Sequence, residues 1–386
     1  MGQLRFRLAT YSYQFSARFI PIFALYGLML SDRFSLTVLQ ITSLFCYWFI
    51  IQLASEIPTG LYADKYLPKL ALFMGSLLKS GCLGVWFATT SFAGAIIGFT
   101  LLGVGGAFSS GAFESYLYTS IQKGGKVSHY AKISGLLQSV GSISVLSSYL
   151  LASLLGVNYG LILLASTLSS CVSLLAVAFL PKIESPMQNK LTIKDAKLAL
   201  KYVAHSKVRA YLVLSGALIG STAAAGAEVV QFYYRSVGVS TSWVPVIMAI
   251  GFSVSTVLLT HAHKFEQRKP KFKFMLALYA GLILIFSSFG NIGYALAGAL
   301  VYFRLMGVFS FLINVELQHA TNKIYRTTVL SISSFVTGYI SLIIFLLYGL
   351  VSLWAGSIWS FRMIASITVF FTIFCIYPKG VQKFSM

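Results

Sequence analysis

Runs of about twenty mostly apolar residues recur along the whole chain, each long enough to carry a helix across the roughly 30 Å hydrocarbon core of a bilayer. Cutting at charges, prolines and glycine-polar turns gives twelve, at residues 10–30, 38–62, 69–90, 92–121, 130–155, 157–180, 208–235, 242–263, 271–289, 291–320, 325–351 and 355–378. With 57% of 386 residues hydrophobic and only 10% charged, there is more apolar surface than a soluble core of this length hides. The expected fold class is all-α integral membrane, with twelve transmembrane helices.

A formal charge of +20 would suit nucleic acid if the basic residues formed one surface. They sit instead in the short connections between apolar runs. With the N-terminus placed in the cytoplasm, 23 Lys and Arg, Lys273 among them, fall in inner connections and only Arg33 and Arg235 in outer ones. That positive-inside bias puts both termini in the cytoplasm and removes the nucleic-acid reading. A bacterial inner (plasma) membrane is the expected location. Arg5 and Arg7 before an apolar run resemble the start of a signal peptide, but Gln14, Arg18 and Pro21 interrupt that run, so it reads as a retained first helix. Cys46, Cys82, Cys171 and Cys375 are isolated in apolar stretches and read as small buried hydrophobes.

One long connection divides the chain into an N-terminal six-helix bundle (1–180), a cytoplasmic linker (181–207) and a C-terminal six-helix bundle (208–386). Within the linker, Leu191, Lys194, Asp195, Lys197, Leu198, Lys201 and Tyr202 recur at helical spacing, which suggests an amphipathic helix lying on anionic membrane lipid. A docking site for a cytosolic partner is the alternative. Aligning Glu114 with Glu316 also pairs Gly105 with Gly307, so the two bundles read as pseudo-symmetric repeats. Such repeats are the layout of transporters whose halves rock about a central site.

Eight ionisable residues fall inside spans: Arg18, Glu56, Lys79, Glu114, Glu228, Arg304, Glu316 and Arg362. A charge there is costly unless paired or wetted, so each is a functional candidate by default. Arg18, Glu114, Glu228, Arg304 and Glu316 are the expected substrate or proton site. Arg18 shares a polar face with Tyr11 and Gln14; Glu114 lies one turn from Ser110 and from Tyr118; Glu228 follows the small residues Ala223 to Ala227. A structural ion pair between Arg18 and Glu114, or a Glu228 stabilised by Gln231, is the bland alternative. Lys79 and Arg362 read as snorkelling side chains on peripheral helices.

The chain contains no HExxH, no phosphate loop and no GxSxG, and His261 and His263 lack companion ligands nearby in sequence. No enzyme activity, metal or cofactor is expected, and transport would run on a gradient.

Within Glu56 to Lys69 the second span, carrying Glu56, breaks after residue 62 into a short charged loop that holds Asp64, flanked by Lys65 and Lys69. The segment Gly60-Leu61-Tyr62-Ala63-Asp64-Lys65-Tyr66-Leu67-Pro68-Lys69 resembles the loop motif of the major facilitator superfamily, with Leu67-Pro68 where Gly-Arg is usual. Glu56-Ile57-Pro58-Thr59 and the segment Ser110 to Tyr118 are similar to the branch containing drug and siderophore exporters, as is Tyr325 to Ser331 at the entry to the eleventh helix. Residues 133–155 lack the Gly-Pro pair of the antiporter signature, and Leu102 stands near the place of a common helix-four arginine. The resemblance implies a gate of Glu56, Gly60, Asp64, Lys65 and Arg326, with Asp64 as a latch on a helix N-terminus or on Arg326.

The expected function is therefore secondary active transport of a small organic molecule by alternating access, outward, with the site between the halves. Two mid-membrane arginines favour an anionic or zwitterionic substrate such as a siderophore or modified peptide; a drug-like compound is the other candidate. Protons are a candidate coupling ion, and a monomer is expected. A nutrient-uptake permease and a non-transporting scaffold or receptor on the same fold are the alternatives.

Overall fold

The computed structural model describes residues 2–65, 68–109, 112–123, 130–181, 193–261, 270–322 and 326–376, and every regular element among them is helical. Two compact units are present. The first comprises Met1–Thr37, Leu44–Lys190 and Thr241–Ala249; the second comprises Val38–Ser43, Leu191–Ser240 and Ile250–Met386.

Hydropathy locates most helices to within a few residues. The second span is α3 (Val38–Lys65) and the third α4 (Pro68–Ala88), followed by α5 (Phe92–Ser109) and α6 (Ala112–Lys123) for the fourth. The fifth and sixth spans are α7 (Tyr130–Leu154) and α8 (Tyr159–Phe179). The linker helix is present as α9 (Ile193–Ala204). In the rest of the chain α10 (Lys207–Ser236), α11 (Val244–His261), α12 (Pro270–Ser287) and α13 (Ile292–His319) follow the expected ranges. The last two spans are the two arms of α14 (Arg326–Ile376), divided by Gly356 at φ 78°, a backbone conformation that glycine adopts at little cost.

Three features depart from expectation. The first span is not one helix: α1 (Gly2–Ser16) ends, a 3-10 turn covers Pro21–Ala24, and α2 (Tyr26–Asp32) completes the crossing. The charged loop expected after residue 62 begins as helix, because α3 continues beyond Asp64 to Lys65. Lys273, counted among the loop lysines, lies inside α12 and is almost fully buried.

Eight described helices are long and apolar enough to span a membrane. Large apolar side chains face outward along them, Leu154, Trp354 and Phe370 among the most exposed, as a multi-pass membrane protein requires of its lipid-facing surface. Against lipid there is no hydrophobic drive between helices, so close packing must hold them. In the first unit α4 and α5 cross at Gly75 and Gly105, where a Cβ added to either would lie 3.0–3.1 Å from the other's carbonyl oxygen. Trp86, Phe45 and Trp48 pack their rings around Phe99.

Side chains also seal helix ends in this unit. Lys69 Nζ donates to the carbonyls of Ala178 (2.8 Å) and Leu180 (2.5 Å), and Tyr116 Oη donates to Pro181 O at 3.1 Å. These satisfy carbonyls that α8 leaves open, with a cation at the negative end of its dipole. Arg33 Nη2 does the same for Phe87 O at the end of α4, at 2.6 Å.

The second unit carries a buried hydroxyl cluster of Tyr302, Thr222 and Thr368, with oxygens 2.9–3.2 Å apart. Its α9 is anchored at Tyr202: Arg209 donates to the Tyr202 carbonyl and stacks over the ring at 3.7 Å, while the Asn322 amide donates to the Tyr202 hydroxyl at 3.0 Å.

Candidate functional site

The break in the first span begins with Pro21. Proline has no N–H, so the carbonyl four residues back, Ala17 O, loses its helical donor. Lys79 Nζ, reaching from α4, replaces it at 2.7 Å. The Ile20 amide turns to Arg18 O instead of Ser16 O, and Ser169 Oγ of α8 donates to the vacated Ser16 carbonyl at 3.0 Å. The Ile22 amide, cut off from Arg18 O, donates to Ser166 Oγ at 3.0 Å, and Ser144 Oγ of α7 donates to Phe15 O at 2.6 Å. The helical bonds lost at Ser16 O, Ala17 O and the Ile22 amide are thus replaced by side chains from neighbouring helices, and Ser144 adds a second bond to Phe15 O, which keeps its helical donor Phe19. An unsatisfied buried backbone group costs about 1–3 kcal/mol, so this polar cradle is what makes the irregular path stable.

Lys79 was expected to snorkel on a peripheral helix, and its sequence position alone gives no other signal. In the structure its ammonium is turned inward to Ala17 O and lies 5.3 Å from the centroid of the Phe23 ring. Arg362 does sit near the end of its span, where Nε and Nη2 each bond Ser288 at 2.9 Å and the guanidinium stacks over Phe289 and Trp359.

Arg18 lies in the break, halfway along the first crossing. Its side chain is exposed, and no hydrogen bond or ion pair of its guanidinium exists among the described residues. It runs across Gly141 of α7, where a Cβ would stand 2.8 Å from Arg18 Cδ and 3.0 Å from Nε. Gln14, one turn earlier, is buried. A bare guanidinium at mid-span is unfavourable against lipid by several kcal/mol. The surface it occupies is suited to water or to a ligand with negative charge, which a guanidinium can grip through two parallel N–H bonds.

In the second unit, Arg304 of α13 donates from Nη1 to Gly251 O of α11, while its Nε is buried with no partner. Glu316 pairs with the buried Lys273, their side chains 28% and 2% exposed. That partner was hidden in the sequence because Lys273 was counted as a loop cation. Glu228 is half-buried on α10, and the Gln231 amide bonds the Glu228 backbone carbonyl at 3.1 Å. Among the small residues before it, Ala224 and Ala227 are exposed, and the Phe303 ring lies 3.4 Å from where a Gly226 Cβ would be.

Glu56 is exposed near the end of the apolar part of α3. Glu114 lies on α6, Gly60, Asp64 and Lys65 on α3, and Arg326 at the start of α14, but the side-chain placements of these five fall outside the described residues. Among the described residues no three His, Cys, Asp or Glu side chains gather as a metal site would require.

No protein-family model matches the chain, and no curated protein matches its sequence. Solved structures match along nearly the whole length. The nucleoside transporter NupG superposes with a TM-score of 0.79 at 14% identity, over 97% of this chain and 98% of that one. A D-xylose-proton symporter gives 0.72 at 13%, over 97% of each chain. A bacterial homologue of the human lysosomal transporter Spinster, inward-facing and unoccupied, gives 0.71 at 14%, over 96% and 94%. At such identities the likeness is one of fold alone, an all-α membrane fold of twelve transmembrane helices in two six-helix bundles.

Proposed function

We propose that this protein is a secondary transporter that moves a small organic anion or zwitterion across a membrane by alternating access, with Arg18 as the contact for the substrate's negative group. The observation that carries this reading is the exposed, unpaired guanidinium at the break in the first span. Transmembrane helices interrupted near their middle are where transporters of several folds hold charged substrates. A scaffold would have little use for an arginine kept bare at mid-span, where the cost is several kcal/mol. The fold, common to transporters of nucleosides, sugars and peptides, supports transport as the activity.

Arg304, with an unsatisfied Nε, is a second anion-binding candidate, and Glu228 and Glu114 are candidates for proton binding. Glu316 is engaged by Lys273 and is assigned a structural role. Outward movement of a siderophore, modified peptide or drug-like compound rests on the resemblance of residues 56–59 and 110–118 to exporters. The gate of Glu56, Gly60, Asp64, Lys65 and Arg326, at a cytoplasmic end, rests on the loop motif. A second reading, uptake coupled to protons, is favoured by the likeness to a proton symporter.

The test is substrate-dependent pH change in inside-out vesicles over a panel of siderophores, peptides, nucleosides and dyes. At least one compound bearing a carboxylate or phosphate should give a signal, and its sign reports export or uptake. No response to any of them would remove proton-coupled transport; a response confined to neutral or cationic compounds would remove the anion reading.

A further inference from the structure

The role given to Arg18 leaves open what keeps its guanidinium where it is. Pro21 alone would not do so, because a proline kink normally leaves the chain on its helical course and water or a nearby hydroxyl takes the freed carbonyl. Here the chain departs from the helix for several residues, and four side chains from three helices fix that path. Three are serines with neutral hydroxyls: Ser144, Ser166 and Ser169. The fourth is the ammonium of Lys79, which supplies the donor that Pro21 removes. A charged donor to a carbonyl is roughly twice as strong as a neutral one. Lys79 is also the one member of the cradle bonded to Ala17, the residue directly before Arg18.

We propose that Lys79 is a positioning residue for Arg18. Its ammonium holds the Ala17 carbonyl out of the helical path, and together with Ser169 this turns the backbone so that the Arg18 side chain crosses Gly141 and ends exposed. A helix that closed up would carry Arg18 to another face. Lys79 thus acts on substrate through Arg18 and does not itself touch it. The assignment rests on the reading of Arg18 as the substrate contact, but the geometry it asserts can be measured without a substrate.

The probe is phenylglyoxal, which modifies accessible arginines, applied to the full-length protein and quantified at each arginine by peptide mapping. Arg304 and Arg362 serve as internal references because their guanidinium groups are held by Gly251 and Ser288. The variants are Lys79→Met, Lys79→Arg, and Ser169→Ala, which loosens the cradle while leaving every charge in place. Losing a charge-assisted bond shifts a conformational balance by about tenfold or more, and losing a neutral hydroxyl bond by about threefold. Arg18 modification should therefore slow at least about threefold in Lys79→Met and in Ser169→Ala, stay near wild type in Lys79→Arg, and leave the two references unchanged. Unchanged Arg18 labelling in Lys79→Met overturns the proposal. So does a loss in Lys79→Met that Ser169→Ala does not share, since that would be an effect of charge alone. If Lys79→Met does not fold, Lys79→Gln, too short to reach the Ala17 carbonyl, takes its place and the same outcomes decide. Failure of Arg18→Gln to impair flux would remove the substrate role while leaving the positioning result standing.

Discussion

Lys273 and Glu316 offer a perturbation whose two halves should be unequal. Lys273 has a side chain only 2% exposed, whereas Glu316 keeps 28% of its surface. Glu316→Gln strands an ammonium with no route to water, and breaking a buried pair in this way costs about 3–5 kcal/mol. Lys273→Met strands a carboxylate that still reaches solvent, so the cost falls nearer the 1–3 kcal/mol or so of an unsatisfied polar group. Replacing both, Lys273→Met with Glu316→Leu, removes both desolvation costs and should come within about 1 kcal/mol of wild type. The assay is thermal unfolding in detergent. At about 2 °C per kcal/mol for a chain of this size, Glu316→Gln should melt some 6–10 °C lower, Lys273→Met about 2–6 °C lower, and the double variant close to wild type. Additive losses in the double variant, or a Glu316→Gln as stable as wild type, would refute the pairing argument. Flux that survives in the double variant supports a structural role for Glu316; abolished flux returns it to the substrate path.

Gly141→Ala places a Cβ 2.8 Å from Arg18 Cδ, and the flexible arginine can move aside, so stability should change by under about 1 kcal/mol while transport falls severalfold; unchanged flux would count against the Arg18 geometry. Lys69→Met removes two charge-assisted bonds from the end of α8, and amide exchange over residues 176–181 should quicken by about tenfold or more, with no change refuting the cap. Gly349→Ala drives a methyl into Thr42 and to 3.0 Å from Leu39 Cα, which overpacking should penalise by about 1–3 kcal/mol; Gly307→Ala, with open space around it, is the control that should not melt lower. Arg362→Ala loses its contacts with Ser288, Phe289 and Trp359 and should lower thermal stability without lowering flux, since none of these residues belongs to the proposed site.

Hydropathy alone carries most of the helix list, because a bilayer demands about twenty apolar residues per crossing and forbids unpaired backbone. What it does not carry is the course of the backbone inside a crossing. Pro21 is visible in the sequence, but proline is common in transmembrane helices, and only the serines and lysine of three other helices turn a kink into a break. Those partners are 58 to 148 residues away, and nothing in the order of residues joins them to residue 21. Lys79 and Lys273 were misjudged for one reason. A lysine near apolar sequence reads as a head that seeks water, and only the fold shows the carbonyl or carboxylate that receives it. Arg18 stands out in the sequence because a charge at mid-span is conspicuous whatever surrounds it. The extension of α3 beyond residue 62 to Lys65 is not legible in the sequence, since Asp64 and Lys65 read there as loop charges.

The central claim is that Arg18 receives the negative group of a transported molecule. Charge movement on a solid-supported membrane coated with proteoliposomes tests it directly, using a panel of carboxylate- and phosphate-bearing compounds against wild type, Arg18→Gln and Arg18→Lys. The account predicts a transient current with at least one compound, lost in Arg18→Gln at equal folded protein and partly kept in Arg18→Lys, which preserves charge but not the two-pronged grip. A current of the same size in Arg18→Gln, or none from any compound in the wild-type protein, would contradict it.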